Sequence, residues 1–218
     1  AVTTGIENTL IGGDAGDALT EAIGITAVGR DALTNDTKGN RSTAIGKGTL
    51  AAQNLTSATS TYNTVVGFDT GNDITTGIYN TLVGGVAGDA LIDADNNTAM
   101  GTWALSVDTY GSHTTAIGYL ALETQNFTTA ADSYNTAVGS NVGRLLTTGV
   151  QNTLLGGKCG DAITTGGENI VIGYDSDTSA VNSTNQIVMG RGVTGNANLS
   201  LCFGEDSNDS AIAFGATS

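Results

Sequence analysis

Two glycine phrases and a few titratable side chains are the places where this 218-residue chain could do chemistry. Gly190-Arg191-Gly192-Val193-Thr194-Gly195 fits G-x-G-x-x-G, the pattern whose backbone amides cradle a pyrophosphate at the start of a helix, and an apolar run precedes it as a strand would. No helical pattern follows, and with 32 glycines in the chain such matches arise by chance, so nucleotide binding is not expected. Gly12-Gly13-Asp14-Ala15-Gly16-Asp17 fits the opening of the calcium-binding nonapeptide G-G-x-G-x-D. That site requires a nonapeptide period, which is missing here, so the aspartates read as solvated turn residues.

Nucleophilic catalysis of the Ser-His-Asp kind needs a histidine. His113 is the single one, and its Gly111-Ser112-His113 phrase reads as an exposed turn. Glycosidase carboxylates stand about 5–9.5 Å apart, whereas Asp17, Asp89 and Asp161 recur every 72 residues, too far to pair. Asp14 and Asp31 share a repeat position, but Gly48 follows them in the next repeat. Cys159 and Cys202 allow at most one bridge and read as small hydrophobes. The expectation is a chain without catalytic residue, cofactor or metal site, and so not an enzyme. A net charge of −14 argues against nucleic acid or an anionic membrane as partner, and no apolar stretch is long enough for a membrane span.

What holds these residues in place is a repeat. A Thr-apolar-apolar-Gly phrase recurs along the chain, its leading Thr lost after Thr153, with its glycine at Gly12, Gly29, Gly46, Gly67, Gly84, Gly101, Gly118, Gly139, Gly156, Gly173, Gly190, Gly204 and Gly215. Most steps are 17 residues, two are 21, and the last two shorten to 14 and 11. A second period overlies the first. Some units place Leu or Ile seven residues after the glycine (Leu19, Ile74, Leu91, Leu146, Ile163), and others place Leu four after it (Leu33, Leu50, Leu105, Leu122). The order of these long and short phrases repeats every four units, so residues 5–76 align with 77–148 without a gap.

β-branched residues, glycine every few positions and the lack of an apolar 3.6-residue period exclude helices. The expected fold is all-β: a parallel β-solenoid of 17-residue coils with a 72-residue super-repeat, stacked about 4.8 Å apart into a rod of about 58 Å. Residues 1–190 form the repetitive shaft and 191–218 the shortened C-terminal coils.

Along a strand, successive side chains face opposite sides. The residues just before each glycine (Ile11, Val28, Ile45, Val66, Val83, Met100, Ile117 and onward) are large, and are expected to fill the coil interior. The residues one place earlier would then face outward: Leu10, Ala27, Ala44, Val65, Leu82, Ala99, Ala116, Ala137 and Leu154. No charge enters that column, and an apolar stripe along a rod needs a cover. The expected cover is an identical chain, which makes these nine residues oligomer-interface candidates; another wall of the same chain is the alternative. The Thr column (Thr9, Thr26, Thr43, Thr64, Thr81, Thr98, Thr115, Thr136, Thr153) shares the face of the large residues and is expected to be buried.

Asn135-Thr136-Ala137-Val138-Gly139 and Leu146-Thr147-Thr148-Gly149 resemble repeats of bacteriophage and marine-virus tail-fibre proteins over most of the chain. They are also similar to the head repeats of trimeric autotransporter adhesins, a left-handed parallel β-roll with a shorter unit. The run from Asn185 to Gly190 and the shortened steps after it resemble the segment preceding an endosialidase-type intramolecular chaperone, which registers three chains and cuts itself off after a Ser. These resemblances imply a homotrimer in the virion or at a cell surface, host attachment through a surface glycan or protein, and Ser218 as a processing terminus. Two coils carry four extra residues, near Asn54–Thr61 and Asn126–Ser133, and these are expected to protrude as loops. Trp103, Tyr110, Tyr119, Phe127 and Tyr174 are host-contact candidates. The function expected is a non-catalytic structural fibre and attachment protein. The alternatives are a bacterial adhesin head and, because of the Thr column, an ice-binding solenoid.

Overall fold

Each Thr-x-x-Gly phrase is a three-residue strand closed by a glycine that no other residue can replace. In the computed structural model, which describes residues 2–205 and 210–213, the repeat glycines up to Gly204 have φ between +133° and +154°. A Cβ on Gly84 would lie 2.6 Å from the carbonyl of Gly101 in the next coil. The column therefore fixes both the turn and the coil spacing.

The strands run in chain order β1 (Thr9–Ile11), β2 (Thr26–Val28), β3 (Gly39–Asn40), β4 (Thr43–Ile45), β5 (Thr59–Ser60) and β6 (Thr64–Val66). They continue with β7 (Thr81–Val83), β8 (Thr98–Met100), β9 (Gly111–Ser112), β10 (Thr115–Ile117), β11 (Ala131–Asp132) and β12 (Thr136–Val138). The last are β13 (Thr153–Leu155), β14 (Ile170–Ile172), β15 (Gln186–Arg191), β16 (Ser200–Glu205) and β17 (Ser210–Ala213). β3, β5, β9 and β11 form two small side sheets, and the rest make one thirteen-stranded sheet. Its first twelve strands pair parallel and in register, Thr on Thr and Ala on Ala, as the repeat alignment requires. The chain is a parallel β-solenoid, and among the described residues it contains no helix. Twelve stacked strands span about 53 Å. The final 11-residue step is too short for a coil: β17 turns back and pairs antiparallel with β16. The expected thirteenth repeat position, Phe214-Gly215, and Ser218 lie outside the described residues.

The strands face the opposite way from the sequence expectation. Ala27, Ala44, Val65, Leu82, Ala99, Ala116, Ala137 and Leu154 are fully buried inside the coil, and Leu10 packs half-buried against them in the first coil. They are covered by other walls of the same chain, so they are core and not an oligomer interface. The large column faces solvent instead, with Ile11 59 % exposed and Met189 44 %.

The reason is volume. Where the fourth place after the glycine is Gly (Gly16, Gly88, Gly160), the inward strand residue is Leu10, Leu82 or Leu154, and Leu19, Leu91 or Ile163 completes the filling. A Cβ on Gly16 would meet Leu19 Cδ1 at 2.7 Å and Leu10 Cδ2 at 2.9 Å. Where that place is Leu33, Leu50, Leu105 or Leu122, the inward strand residue is Ala. Ala137 faces Gly143 in a long coil, and there the missing volume comes from Val142; the coil one super-repeat earlier has Val65, Gly71 and Thr70 at these places, and the other long coils have Ala15, Ala87 or Cys159 where Val142 stands. The four Leu hold φ of +50° to +54°, the same left-handed turn that glycine makes in the long coils.

The fourth place before the glycine also points inward and is mostly Asn. Asn80 Nδ2 donates to Ala94 O at 2.7 Å, and its Oδ1 accepts from the Asn97 amide at 3.0 Å. Asn97 repeats both bonds with Gly111 O and the Thr114 amide. This buried ladder satisfies backbone groups at each corner where the sheet's own hydrogen bonds end.

Candidate interaction surface

The outer face of the long sheet carries two columns. One is the nine-Thr column, continued by Ile170, Ile187 and Leu201; the other runs from Ile11 to Phe203. All are exposed or half-buried, and none is charged. The Thr residues are thus on the surface, contrary to expectation, because they share the strand face of the large residues and that face is outside.

The corners flanking this face add exposed rings. On one side are Tyr62 and Tyr79, stacked at 5.8 Å, with the Arg41 guanidinium 5.6 Å from the Tyr62 ring. On the other, Trp103 and Tyr119 stand 5.9 Å apart, Lys47 lies 4.7 Å from the Phe68 ring, and Tyr174 is also exposed. Most of the large exposed apolar side chains lie on this face and its corners, Ile212 among them as the partner of Leu201; Val107, Leu145 and Val181 lie elsewhere. Where the face nears β16, Glu168, Ile170, Asn185, Ile187 and Leu199 line a groove of about 210 Å³.

Of the five host-contact candidates, Trp103, Tyr119 and Tyr174 are exposed beside this face and Tyr110 is half-buried. Phe127 is buried. Its amide donates to Asp108 Oδ1 at 3.0 Å, and its ring packs where a Cβ on Gly111 would sit. The four-residue insertions therefore do not protrude whole. Each tucks in one apolar side chain, Leu55 or Phe127, and adds a short strand, β5 on β3 or β11 on β9, leaving residues 56–58 and 128–130 exposed.

Polar side chains inside the coil were missed in the sequence. The seventh place after the glycine, Leu or Ile in long coils, is Asp36, Gln53, Asp108 or Gln125 in short ones, all buried. Gln53 Nε2 donates to Asp36 Oδ2, and Asp36 Oδ1 accepts from the Gly39 and Leu55 amides. The signal was present in the strict coincidence of a polar seventh place with Leu at the fourth.

The titratable groups are dispersed. His113 Nδ1 lies 3.1 Å from Asp132 Oδ1, and Tyr134 donates to the same carboxylate. Burial, reinforced by Asp73 and Asp69, pushes the Asp89 carboxyl up to about 6. Burial does the same to Asp177, beside Asp161, which is also raised. Asp31 pairs with Arg30 at 3.0 Å. The Cys159 thiol donates to Val171 O, and burial pushes it up to about 12; Cys202 is a core residue. The stretch from Gly190 to Gly195 leaves strand β15 for a bridge between Thr194 and Asp177, so it opens no helix. Among the described residues no group of three His, Cys, Asp or Glu side chains could hold a metal ion. Against known protein families, curated proteins and solved structures, the chain finds no match.

Proposed function

We propose that the protein is a non-catalytic structural rod, the shaft of an extracellular or virion fibre, which assembles as a homotrimer and displays attachment surfaces to a host glycan or protein. The observation that carries this reading is the one-sided distribution of exposed apolar surface. A chain of net charge −14 keeps the two central columns of one face free of charge from the first coil to the twelfth, and such a stripe calls for a permanent cover. The exposed residues 56–58 and 128–130, and the rings at the corners, lie away from the centre of that face and suit attachment. Light scattering during size exclusion tests the assembly: three times the 21.8 kDa chain mass is expected, and a monomer at micromolar concentration overturns it.

One observation favours ice binding instead. The Thr column that sequence reasoning placed inside is on the surface, repeating about every 4.8 Å on a long sheet, the kind of ordered array that binds ice. Thermal hysteresis at millimolar protein supports ice binding if the protein is monomeric; its absence removes that reading.

A further inference from the structure

We infer that the cover on the outer face is a second copy of this chain, lying parallel and coil for coil, whose Met189 and Phe203 enter the groove lined by Ile170, Ile187 and Leu199. This rests on the self-assembling reading above and specifies its contact. The face has one column at the third place before the glycine, small Thr in the first nine coils and Ile170, Ile187 and Leu201 in the last three, and a large one just before the glycine. A symmetry axis along the rod reverses the strand direction of the neighbour, so the small column of one copy meets the large column of the next at equal height. A perpendicular axis, which makes the rods antiparallel, sets large on large and Thr on Thr.

The groove discriminates further. It lies on the small-column side, level with the coils of β14 to β16, and is about 210 Å³. With parallel copies in register it faces the large column of those same coils, where Met189 and Phe203 stand 44 % exposed. With antiparallel copies it faces Thr9, Thr26 and Thr43 and stays unfilled. From corner to corner the strip is about six residues, or about 20 Å, wide, so its length of about 53 Å offers about 1,000 Å² per copy. A standard interface takes about 800 Å² per partner.

The test co-refolds an affinity-tagged Thr115→Cys chain with an untagged Ile117→Cys chain, oxidises the mixture and measures the particle mass. The native cysteines are both buried. The expected result is a tagged–untagged crosslink inside an assembled particle. A crosslink between two Thr115→Cys chains, or an assembled particle without the mixed crosslink, overturns this inference and leaves self-assembly standing. A monomer overturns both. In parallel, Met189→Ala with Phe203→Ala should weaken assembly at least tenfold with the circular dichroism spectrum unchanged, because neither side chain belongs to the coil interior. Unchanged assembly overturns the role given to the groove.

Discussion

Gln125 donates from Nε2 to Asp108 Oδ2 at 2.7 Å inside the coil, as Gln53 does to Asp36 at 2.6 Å one super-repeat earlier. The Asp108 carboxyl also accepts from the Gly111 and Phe127 amides, and Gln125 Oε1 accepts from Asn135 Nδ2. This network ties the insertion at residues 126–133 to the interior, so the extra residues belong to the fold as well as to the surface.

Asp108→Ala strands the buried Gly111 and Phe127 amides and leaves Gln125 Nε2 only its bond to Thr114 Oγ1, and should lower unfolding free energy by about 3–5 kcal/mol. Asp108→Asn keeps one carbonyl acceptor and should cost less. Urea denaturation of the two variants checks the order.

Asn97→Ala removes the partner of the Thr114 amide and of the Gly111 carbonyl. A loss of about 2–4 kcal/mol is expected, read in the same denaturation experiment.

The volume trade between Ala99 and Leu105 predicts a coupled pair. Ala99→Leu overpacks its coil and should cost about 1–3 kcal/mol, and Leu105→Gly leaves a cavity. Together they reproduce the Leu82–Gly88 arrangement, so the double variant should be more stable than either single one. A thermodynamic cycle from melting curves measures the coupling.

Period, glycine column, strand register and the alternation of long and short coils were all legible in the sequence, because glycine and Thr spacing follow directly from backbone geometry. The inside and outside of the strand were not, since size suggested that Ile11 and Val28 fill the core and Ala27 faces out. Two signs pointed the other way. Asn80 and Asn97 share a face with Leu82 and Ala99, and a buried Asn ladder accompanies a coil interior. Ala at one wall also always met a larger residue at another, as with Ala137 and Val142. The burial of Asp36 and Gln53 left only an indirect sign, a polar seventh place wherever the fourth is Leu, because the two residues that bond each other stand a coil apart in the chain.

Acid should stabilise the protein. Asp89 is raised from 3.8 to about 6 by burial and by Asp73 and Asp69, so the fold favours its protonated form. The stability it contributes is fully present below about 3.8 and is lost as pH rises through about 6. The melting temperature should rise as pH falls from 7 to 5, and Asp89→Asn should raise it at pH 7 and flatten the dependence. A melting temperature that falls over that range contradicts the assignment.

The exposed residues 128–130 stand beyond the buried Phe127 and the short strand β11. Deleting them should leave the melting temperature within a few degrees of the parent while weakening attachment to host cells, measured as bound protein per cell.

Whether copies meet at the outer face of the sheet is decided by sedimentation of the native chain beside Ile117→Asp and Ala116→Asp. Ile117 lies on the outer face and Ala116 in the core. The expected results are a native particle that is a multiple of 21.8 kDa, a folded monomer for Ile117→Asp, and an unfolded chain for Ala116→Asp, whose carboxylate has no partner inside the coil. A native monomer, or an Ile117→Asp particle of undiminished mass, would contradict assembly through this face.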